Sequence, residues 1–436
     1  MISRRGFLLG CGAAALSGAR ISQIAFAADG PAAGADILVT VFLRGGIDGL
    51  NFLTPHGDPD YAINRPSIRI AQPGRTRGAL DLDGMFGLHP AAAPLLPLWQ
   101  GKQLALVCAV GQPEATKSHF EAMALMERGV PRTQSATTGW ITRHLQTANP
   151  ARTDGLPAIA TQANVPAALL GAPSVAAVPS FDGFDYAGHW DQIDFQRITM
   201  RELYAGNHWV QTAGSQAFDI VDRVAASNPG KYQPANGAVY PANELGRSLQ
   251  VVAQAIRLGL GLQAACIDFG GWDTHDAQGE DGQGQFAALV GSLAGGLAAL
   301  MTDLGGEAGR VTVVVMSEFG RRLLENRSAG TDHGHGNFML VLGGGIRGGI
   351  YGRWPTLRTD ALADGRDLAA TTDYRQILGE IVMRRLKNPR LAEVFPNAPA
   401  YAPLGFAVGS DQPVPPPTLG APTPPVSSLF IPFTSR

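Results

Sequence analysis

The sequence predicts an α/β domain in which a mainly parallel β-sheet is covered by helices on both faces. Three observations favour this class. Apolar runs rich in β-branched residues alternate along the chain with amphipathic helical patterns, as in folds built from βαβ units. The chain is 45% hydrophobic and only 16% charged, which is typical of a protein with a large buried core. Polar side chains that commonly bind ligands follow the predicted strands, where parallel sheets place their sites.

The predicted elements follow one another in the order that such a sheet requires. Strands are predicted at 36–43, 104–110, 263–269, 311–316 and 337–342. Helices are predicted at 88–100, from Ser118 to 128, at 244–258 with Asn243 as N-cap, at 283–304, and at 373–386 with Thr372 as N-cap.

The 436 residues are enough for one large domain with an insertion or for two domains. The segment 131–240 has short irregular strands, frequent aromatic residues and polar loops, so we predict that it is a cap inserted into a main domain spanning 36–401. The Pro-rich segment 402–436 predicts an extended tail. The formal net charge is −2 and basic residues do not cluster, which argues against a nucleic-acid partner.

The N-terminus predicts a twin-arginine signal peptide over residues 1–27. Arg4 and Arg5 lie in the pattern S-R-R-x-F-L, and an apolar stretch then leads to the A-x-A site at Ala25–Ala27. The apolar stretch is too short and interrupted to span a membrane well, which favours cleavage over anchoring. We therefore expect a periplasmic or secreted protein that is carried by the twin-arginine export machinery. Such export of folded proteins suits a chain that acquires a metal before it leaves the cytoplasm.

The first two strands end in turns that carry candidate site residues. Asp48 follows strand 36–43 in a glycine-rich turn, where it is either a ligand or a simple turn residue. The turn lacks the full G-x-G-x-x-G spacing, so a nucleotide-dependent oxidoreductase is disfavoured. After the second strand, Ser118 and Glu121 have the spacing of a capping box. Ser118 also lies at a helix N-terminus, where anions bind, so it is a candidate for both cap and nucleophile. His119 is a candidate ligand, a support for a ligand, or a surface residue.

Two later strands are followed by clusters of aspartate and histidine among glycines. The candidate metal ligands are Asp273 and His275 after strand 263–269, and Asp332, His333 and His335 after strand 311–316. Imidazoles and carboxylates bind divalent ions, and the pattern leaves Zn²⁺, Mg²⁺, Mn²⁺ and Ca²⁺ open. Glu318 is expected to support a ligand, with Asp332 preferred as the metal-binding carboxylate. The structural alternative for each cluster is a solvated turn.

Several motifs together resemble the exported family called domain of unknown function 1501. These are the twin-arginine start and the segments RGGIDGLN, SHF, GGWDTH, SEFGR and GTDHGHG. The order of the candidate ligands also resembles the alkaline phosphatase/sulfatase superfamily, which has an α/β/α sandwich fold and binds two metals. That resemblance implies Asp48 as an early metal ligand, Ser118 as nucleophile with Thr116 as its competitor, and two Asp/His pairs followed by His335. The pairs would be Asp273 with His275 and Asp332 with His333.

The resemblance implies a metal-dependent hydrolase of a phosphate or sulfate ester. Ser118 would attack the ester, and Arg44 or Arg321 would bind the oxygens of a small or polymeric anionic substrate. The alternative is a cell-envelope binding or assembly protein, with an envelope partner, that keeps the fold and a metal but not the activity. It is favoured by the D-x-H spacing of Asp273 and His275, because the superfamily separates that pair by one helical turn.

Overall fold

The computed structural model describes residues 35–148, 155–172, 174–182, 184 and 192–414. The predicted signal peptide, 1–27, and the end of the predicted tail, 415–436, lie outside the described residues.

The strands of the described residues are numbered in chain order. They are β1 (Ile37–Leu43), β2 (Leu53–Thr54), β3 (Leu80–Asp81), β4 (Gly87–Leu88), β5 (Leu104–Gly111), β6 (Ala158–Ala160), β7 (Ala176–Ala177), β8 (Ala264–Phe269), β9 (Val311–Met316), β10 (Asn337–Gly343), β11 (Gly349–Tyr351) and β12 (Thr372–Asp373).

The α-helices of the described residues are numbered in the same way. They are α1 (Gly49–Phe52), α2 (Pro59–Asn64), α3 (Leu96–Gln100), α4 (His119–Arg128), α5 (Trp140–Ala148), α6 (Ile193–Leu203), α7 (Trp209–Ala226), α8 (Glu244–Arg257), α9 (Gln285–Leu304), α10 (Tyr374–Glu380) and α11 (Leu391–Val394). Short 3₁₀ helices lie at Pro90–Leu95, Ala167–Leu169, Pro229–Lys231, Ala235–Gly237, Gly305–Arg310 and Thr359–Ala361, and a π-helical turn at Ile381–Arg385.

The main sheet has the strand order β11-β5-β10-β9-β1-β8-β6-β7, and β12 pairs with β5 as well. Strand β10 is antiparallel to its neighbours β5 and β9, and the other pairings in this sheet are parallel. The prediction of a mainly parallel sheet is therefore confirmed. Strands β2, β4 and β3 form a separate small antiparallel sheet.

Helices cover both faces of the sheet, as predicted. In the central strand β1, Val39 and Val41 belong to the same buried cluster as the apolar residues of α8 and α9. Leu38 and Phe42 point the other way and join the cluster that contains α5 and α10 residues. By length and composition, Gln285–Arg310 is the one segment of the described residues that could cross a membrane. It is 56% buried in the structure, as a core helix of a globular domain is.

The segment 131–240 contributes to the sheet itself. Strands β6 and β7 pair parallel to each other and extend the sheet beyond β8. Met200 from α6 and Val224 from α7 lie in the same buried cluster as α8 and α9. Part of the predicted cap is therefore an edge of the main domain. The two strands are only three and two residues long, in line with the short strands predicted for this segment.

Two predicted helices are divided or capped differently from the prediction. The helix predicted at 88–100 is a 3₁₀ helix containing Pro94 followed by α3, because proline lacks the N–H that a continuous helix needs. The cap of α10 is Asp373, whose side chain accepts a hydrogen bond from the Arg375 N–H. Thr372, the predicted cap, instead pairs with Val110 in the sheet.

The first part of the predicted tail is bound to the domain by a buried carboxylate. Glu380 is fully buried at the end of α10 and accepts hydrogen bonds from the backbone N–H groups of Leu404, Gly405 and Ala407. Phe406 between them is also fully buried. Three donors and an aromatic anchor therefore fix the chain beyond α11 against the domain.

Two buried histidines should make the fold sensitive to acid. Burial lowers the pKa of His89 and of His144 to about 4. The unfolded chain therefore takes up protons first as the pH falls, and stability should be lost between about pH 6.5 and 4, by about 1.4 kcal/mol per pH unit for each histidine. Urea unfolding of the parent and of His144→Gln across this range measures the effect. Equal pH dependence of the two proteins would contradict it.

Candidate metal centre

The candidate ligands meet at the carboxyl edge of the parallel strands. Strand β1 lies between β8 and β9 in parallel register, so the segments that follow these strands leave the same edge of the sheet. Asp273 and His275 follow β8, and Glu318 follows β9. His333 lies between β9 and β10, and His119 is the first residue of α4. Segments that are distant in sequence thus deliver their side chains to one place.

Two glycines allow these segments to approach one another. Gly45 has a φ of +117°, and a Cβ at this position would lie 2.6 Å from the backbone nitrogen of Asp273. A Cβ at Gly334 would lie 2.4 Å from the carbonyl carbon of Arg321. Its neighbour His333 forms an isolated antiparallel bridge with Arg321. The glycines of these motifs therefore serve close backbone packing behind the site.

Three imidazoles and one carboxylate, His119, Asp273, His275 and His333, form what we call the histidine–aspartate cluster. His333 Nε2 lies 2.9 Å from His119 Nε2, 2.8 Å from His275 Nε2 and 3.2 Å from Asp273 Oδ1. Asp273 Oδ1 lies 3.5 Å from His119 Nε2 and 3.1 Å from His275 Nε2. His119, Asp273 and His333 form the group whose ligand atoms all lie within 4.8 Å of one another.

The outer ring nitrogens of two of these histidines are held by oxygen atoms. His119 Nδ1 lies 2.7 Å from Glu318 Oε1, and His333 Nδ1 lies 2.9 Å from the carbonyl oxygen of Lys117. A carbonyl or an ionised carboxylate only accepts hydrogen bonds, so each Nδ1 donates its proton outwards. The Nε2 atoms of both rings then face each other inside the cluster. Histidines that bind metals are supported by oxygen atoms in the same way, which leaves Nε2 for the ion.

Glu318 is ionised, as this role requires. Burial alone would raise the pKa of its carboxyl group, but hydrogen bonds from His119, from the Gly45 N–H and from Ser317 hold the pKa below its usual value. The carboxylate is 2% exposed and lies at the end of β9, where the sequence predicted a supporting side chain. Asp273 is ionised as well: burial alone would raise its pKa, but Arg321, His333 and His275 together hold the pKa below its usual value.

Arg321 connects Asp273 of the cluster to the backbone of the surrounding loops. Its buried guanidinium donates to Asp273 Oδ1 at 2.6 Å. It also donates to the carbonyl oxygens of Gly45, Gly46, Thr331 and Trp272. These acceptors lie on the segments that follow β1, β8 and β9. The structure therefore uses the donors of Arg321 to join three loops, whereas the sequence predicted that they would bind a substrate anion.

Arg44 is also engaged by protein groups. Its Nη2 donates to Glu127 Oε1 at 2.7 Å and to Asp268 Oδ1 at 2.8 Å, and its Nη1 lies 3.1 Å from Met123 Sδ. Glu127 and Met123 belong to α4, the helix that begins with His119. Arg44 thus ties α4 to strands β1 and β8, and the anion-binding role stays a prediction.

Three predicted metal ligands lie outside the cluster. Asp48 is fully buried, and its Oδ2 accepts hydrogen bonds from Arg65 Nη1 at 2.6 Å and Gln278 Nε2 at 2.7 Å. His335 Nε2 lies 2.9 Å from the carbonyl oxygen of Gln112. Asp332, the third of them, is described next.

Asp332 lies behind His275 instead of beside His333 in the cluster. Its Oδ1 is 3.5 Å from His275 Nδ1 and accepts a hydrogen bond from Asn326 Nδ2 at 3.2 Å. Asp273, which the sequence also predicted as a ligand, therefore supplies the carboxylate oxygen of the cluster. Asp332, which the sequence preferred to Glu318 as a ligand, lies outside the cluster.

Ser118 precedes α4 without capping it. Its side chain makes no capping hydrogen bond. Glu121, the predicted partner, accepts a hydrogen bond from Thr116 Oγ1 at 2.7 Å and pairs with Arg132. The predicted capping box is therefore absent. Ser118 is exposed. Its chain neighbours are His119, a member of the cluster, and Lys117, whose carbonyl oxygen contacts His333.

A groove of about 720 Å³ lies at the end of β5 and is not lined by the side chains of the cluster. Its lining includes His335, Gln112, Thr133, Asp373 and Arg375. Gln112 joins the groove to the cluster's supports, because its Nε2 donates to the carbonyl oxygen of Glu318 at 3.1 Å.

The fold and the site define an α/β protein with a candidate metal centre at the carboxyl ends of its strands. The chain belongs to the family described as "Protein of unknown function (DUF1501)", whose model matches residues 35–379. This confirms the family resemblance seen in the motifs. No curated protein matches the chain.

Several solved structures are similar at low identity. The crystal structure of Ps i-CgsB has 10% identity and a TM-score of 0.32, with 84% of this chain and 73% of that chain covered. Its complex with k-i-k-neocarrahexaose has 10% identity and a TM-score of 0.30, again with 84% of this chain and 73% of that chain covered. The alkaline phosphatase from the Antarctic bacterium TAB5 has 11% identity and a TM-score of 0.27, with 73% of this chain and 95% of that chain covered. At these values the likeness says nothing about the reaction of this chain.

Proposed function

We propose that the chain is a metal-dependent hydrolase of a phosphate or sulfate ester, with the histidine–aspartate cluster as its metal centre. The observation that carries the proposal is the convergence of inward-facing Nε2 atoms on Asp273 Oδ1, with the outer Nδ1 atoms of His119 and His333 held by oxygens. The Asp273 and His275 side chains are 47% and 43% exposed, so a substrate can reach the cluster. A divalent ion bound there supplies Lewis-acid stabilisation of the ester oxygens.

Ser118 is the proposed nucleophile. Its Oγ attacks the phosphorus or sulfur atom in line with the leaving oxygen, and the bond to that oxygen breaks as the bond to Oγ forms. The serine proton passes to water, and the departing alcohol takes a proton from water. A water molecule then attacks the same atom, the bond to Oγ breaks, Ser118 regains a proton, and the inorganic anion leaves.

The test of this role is Ser118→Ala in the metal-loaded full chain. Hydrolysis of aryl phosphate or aryl sulfate esters is expected to fall by about 1,000-fold or more, because a missing nucleophile removes the covalent route. Thr116→Val is the matched control and should retain activity, since the Thr116 hydroxyl is bonded to Glu121. A fully active Ser118→Ala protein would refute the assignment, and loss of activity in Thr116→Val alone would move the role to Thr116.

One observation favours a second function, that of a cell-envelope binding or assembly protein. The cationic side chains next to the cluster in the described residues already have carboxylate partners. They are Arg44 with Glu127 and Asp268, Arg321 with Asp273, Arg322 with Asp332, and Lys117 with Asp367. Recognition of a substrate anion would then fall to the metal alone. A protein that binds metal but hydrolyses neither ester class would support this second function.

We also propose that the chain reaches the periplasm or the exterior through the twin-arginine machinery, on the strength of the N-terminal pattern. Replacing Arg4 and Arg5 with lysine should leave the full chain in the cytoplasm, because the export machinery recognises the paired arginines. Cell fractionation of the parent and the variant measures this. Unchanged export of the variant would contradict the proposal.

A further inference from the structure

We infer that the cluster binds one ion of the Zn²⁺ class through His119, Asp273 and His333, with a coordination position left for an outside ligand. The inference rests on the metal centre of the proposed function. It departs from the two metals implied by the superfamily resemblance, and it narrows the four ions that the sequence left open.

The spacing of the donors fits a single ion. The three pairs of donor atoms are 2.9, 3.2 and 3.5 Å apart. Ligands on one tetrahedral zinc ion, with bonds of about 2.0 to 2.2 Å, lie roughly 3.3 Å from each other. Two ions would stand about 3.5 to 4 Å apart and would each need further ligands. Three donors packed this closely surround one ion.

The other predicted ligands lie outside the group of three and contact protein groups. Asp48 Oδ2 is bonded to Arg65 and Gln278, whereas its buried Oδ1 has no hydrogen-bond partner among the described residues. Asp332 Oδ1 accepts a hydrogen bond from Asn326. His335 Nε2 lies at the carbonyl oxygen of Gln112. Across the described parts of the chain, His119, Asp273 and His333 are the one group of three such side chains with metal-site spacing.

The donor types select the class of ion. Two imidazoles and one carboxylate suit zinc and neighbouring transition metals, whose affinities rise along the series from manganese to copper. Calcium takes six to eight oxygen ligands, and magnesium requires a nearly octahedral oxygen shell. Neither preference is met by two nitrogens and one oxygen. Mg²⁺ and Ca²⁺ are therefore expected to bind far more weakly than Zn²⁺.

Three protein ligands leave room on the exposed side of the ion. Catalytic zinc sites keep three protein ligands and an open position, whereas structural sites are closed by a fourth. His275 contacts His333 and Asp273 but lies outside the group of three. Its side chain is 43% exposed. His275 therefore borders the open position and is not needed to retain the ion.

The experiment measures metal binding by the full chain, independently of hydrolysis. The protein is stripped with a chelator, titrated with Zn²⁺ in the presence of excess Mg²⁺ or Ca²⁺, and analysed for bound metal. We expect one Zn²⁺ per chain and no competition from either ion. His333→Gln should weaken Zn²⁺ binding by more than about 100-fold, since even supporting residues cost 10 to 100-fold. His335→Gln, two residues away, should bind as the parent does, and His275→Gln should keep one ion.

Two ions per chain, competition by Mg²⁺ or Ca²⁺, or loss of the ion in His275→Gln would each overturn the inference. The cobalt-substituted parent gives a further readout, because its absorption spectrum should change when inorganic phosphate or sulfate enters the open position. An unchanged spectrum with either anion would also overturn it. If His333→Gln fails to fold, the ion count and competition in the parent decide the question. Two bound ions with hydrolysis would refute only this inference, whereas one zinc without hydrolysis would refute only the proposed function.

Discussion

His119→Gln should lose both the bound metal and ester hydrolysis. The Nε2 atom of His119 lies 2.9 Å from that of His333, and its Nδ1 is held by the buried Glu318. Glutamine cannot both donate a hydrogen bond to Glu318 and place a metal-binding atom where His119 Nε2 lies. Because a bound metal contributes several kcal/mol to the transition state, the rate should fall at least about 1,000-fold. Metal analysis and initial rates on aryl phosphate and sulfate esters measure the two losses.

Phe120→Ala provides the control for this variant. Phe120 follows His119 in the first turn of α4, and its side chain is 86% exposed, so its removal should leave both the metal and the rate unchanged. Chelation of the parent should abolish activity, and added Zn²⁺ should restore it. A His119→Gln protein that retains its metal and its rate would show that His119 is not a metal ligand. The proposed group of His119, Asp273 and His333 would then be wrong.

The sheet was predictable because its strands are local signals. The buried runs at β1, β5, β8, β9 and β10 were each predicted to within two residues of their observed ends, since strong apolar patterns of this length form strands in most contexts. The short edge strands β6 and β7 carry too few residues for any periodicity. They form because β8 offers a partner, which is a tertiary effect.

The site was predictable as a region but not as a ligand set. GGWDTH and GTDHGHG follow β8 and β9, so parallel pairing with β1 brings them together. Which side chains meet depends on hydrogen bonds between distant segments, such as that of Lys117 O with His333 Nδ1. The only sequence sign for His119 was its place after a strand, next to Ser118. Asp332 and His333 were paired because they match the Asp-His pair of the superfamily. Adjacent residues on an extended segment point to opposite sides, so this pairing needed a turn of the backbone at the flanking glycines.

Arg321→Met should destabilise the fold by about 3 to 5 kcal/mol, as expected when one member of a buried charged network is removed. The Arg321 guanidinium reaches four carbonyl oxygens and Asp273 Oδ1, and methionine would leave these acceptors without a donor. Lysine should not rescue the fold, because its single ammonium cannot reach acceptors on three loops. Urea unfolding of the metal-free proteins measures the loss separately from metal binding.

The neighbouring Arg322 is the matched control for that measurement. Its side chain is 32% exposed, and its contacts are long, 3.4 Å to Asp332 and 4.0 Å to Asp367, which also pairs with Lys117. Arg322→Met should therefore change stability by less than about 1 kcal/mol. If Arg321→Met were as stable as the parent and lost only its affinity for anionic esters, Arg321 would be a substrate-binding residue, as the sequence suggested. Loss of stability and metal together would instead mean that Arg321 builds the site. The three loops that Arg321 joins carry, or lie directly beside, the side chains of the histidine–aspartate cluster. The stability of the carboxyl edge of the sheet and the geometry of the metal centre therefore depend on the same guanidinium.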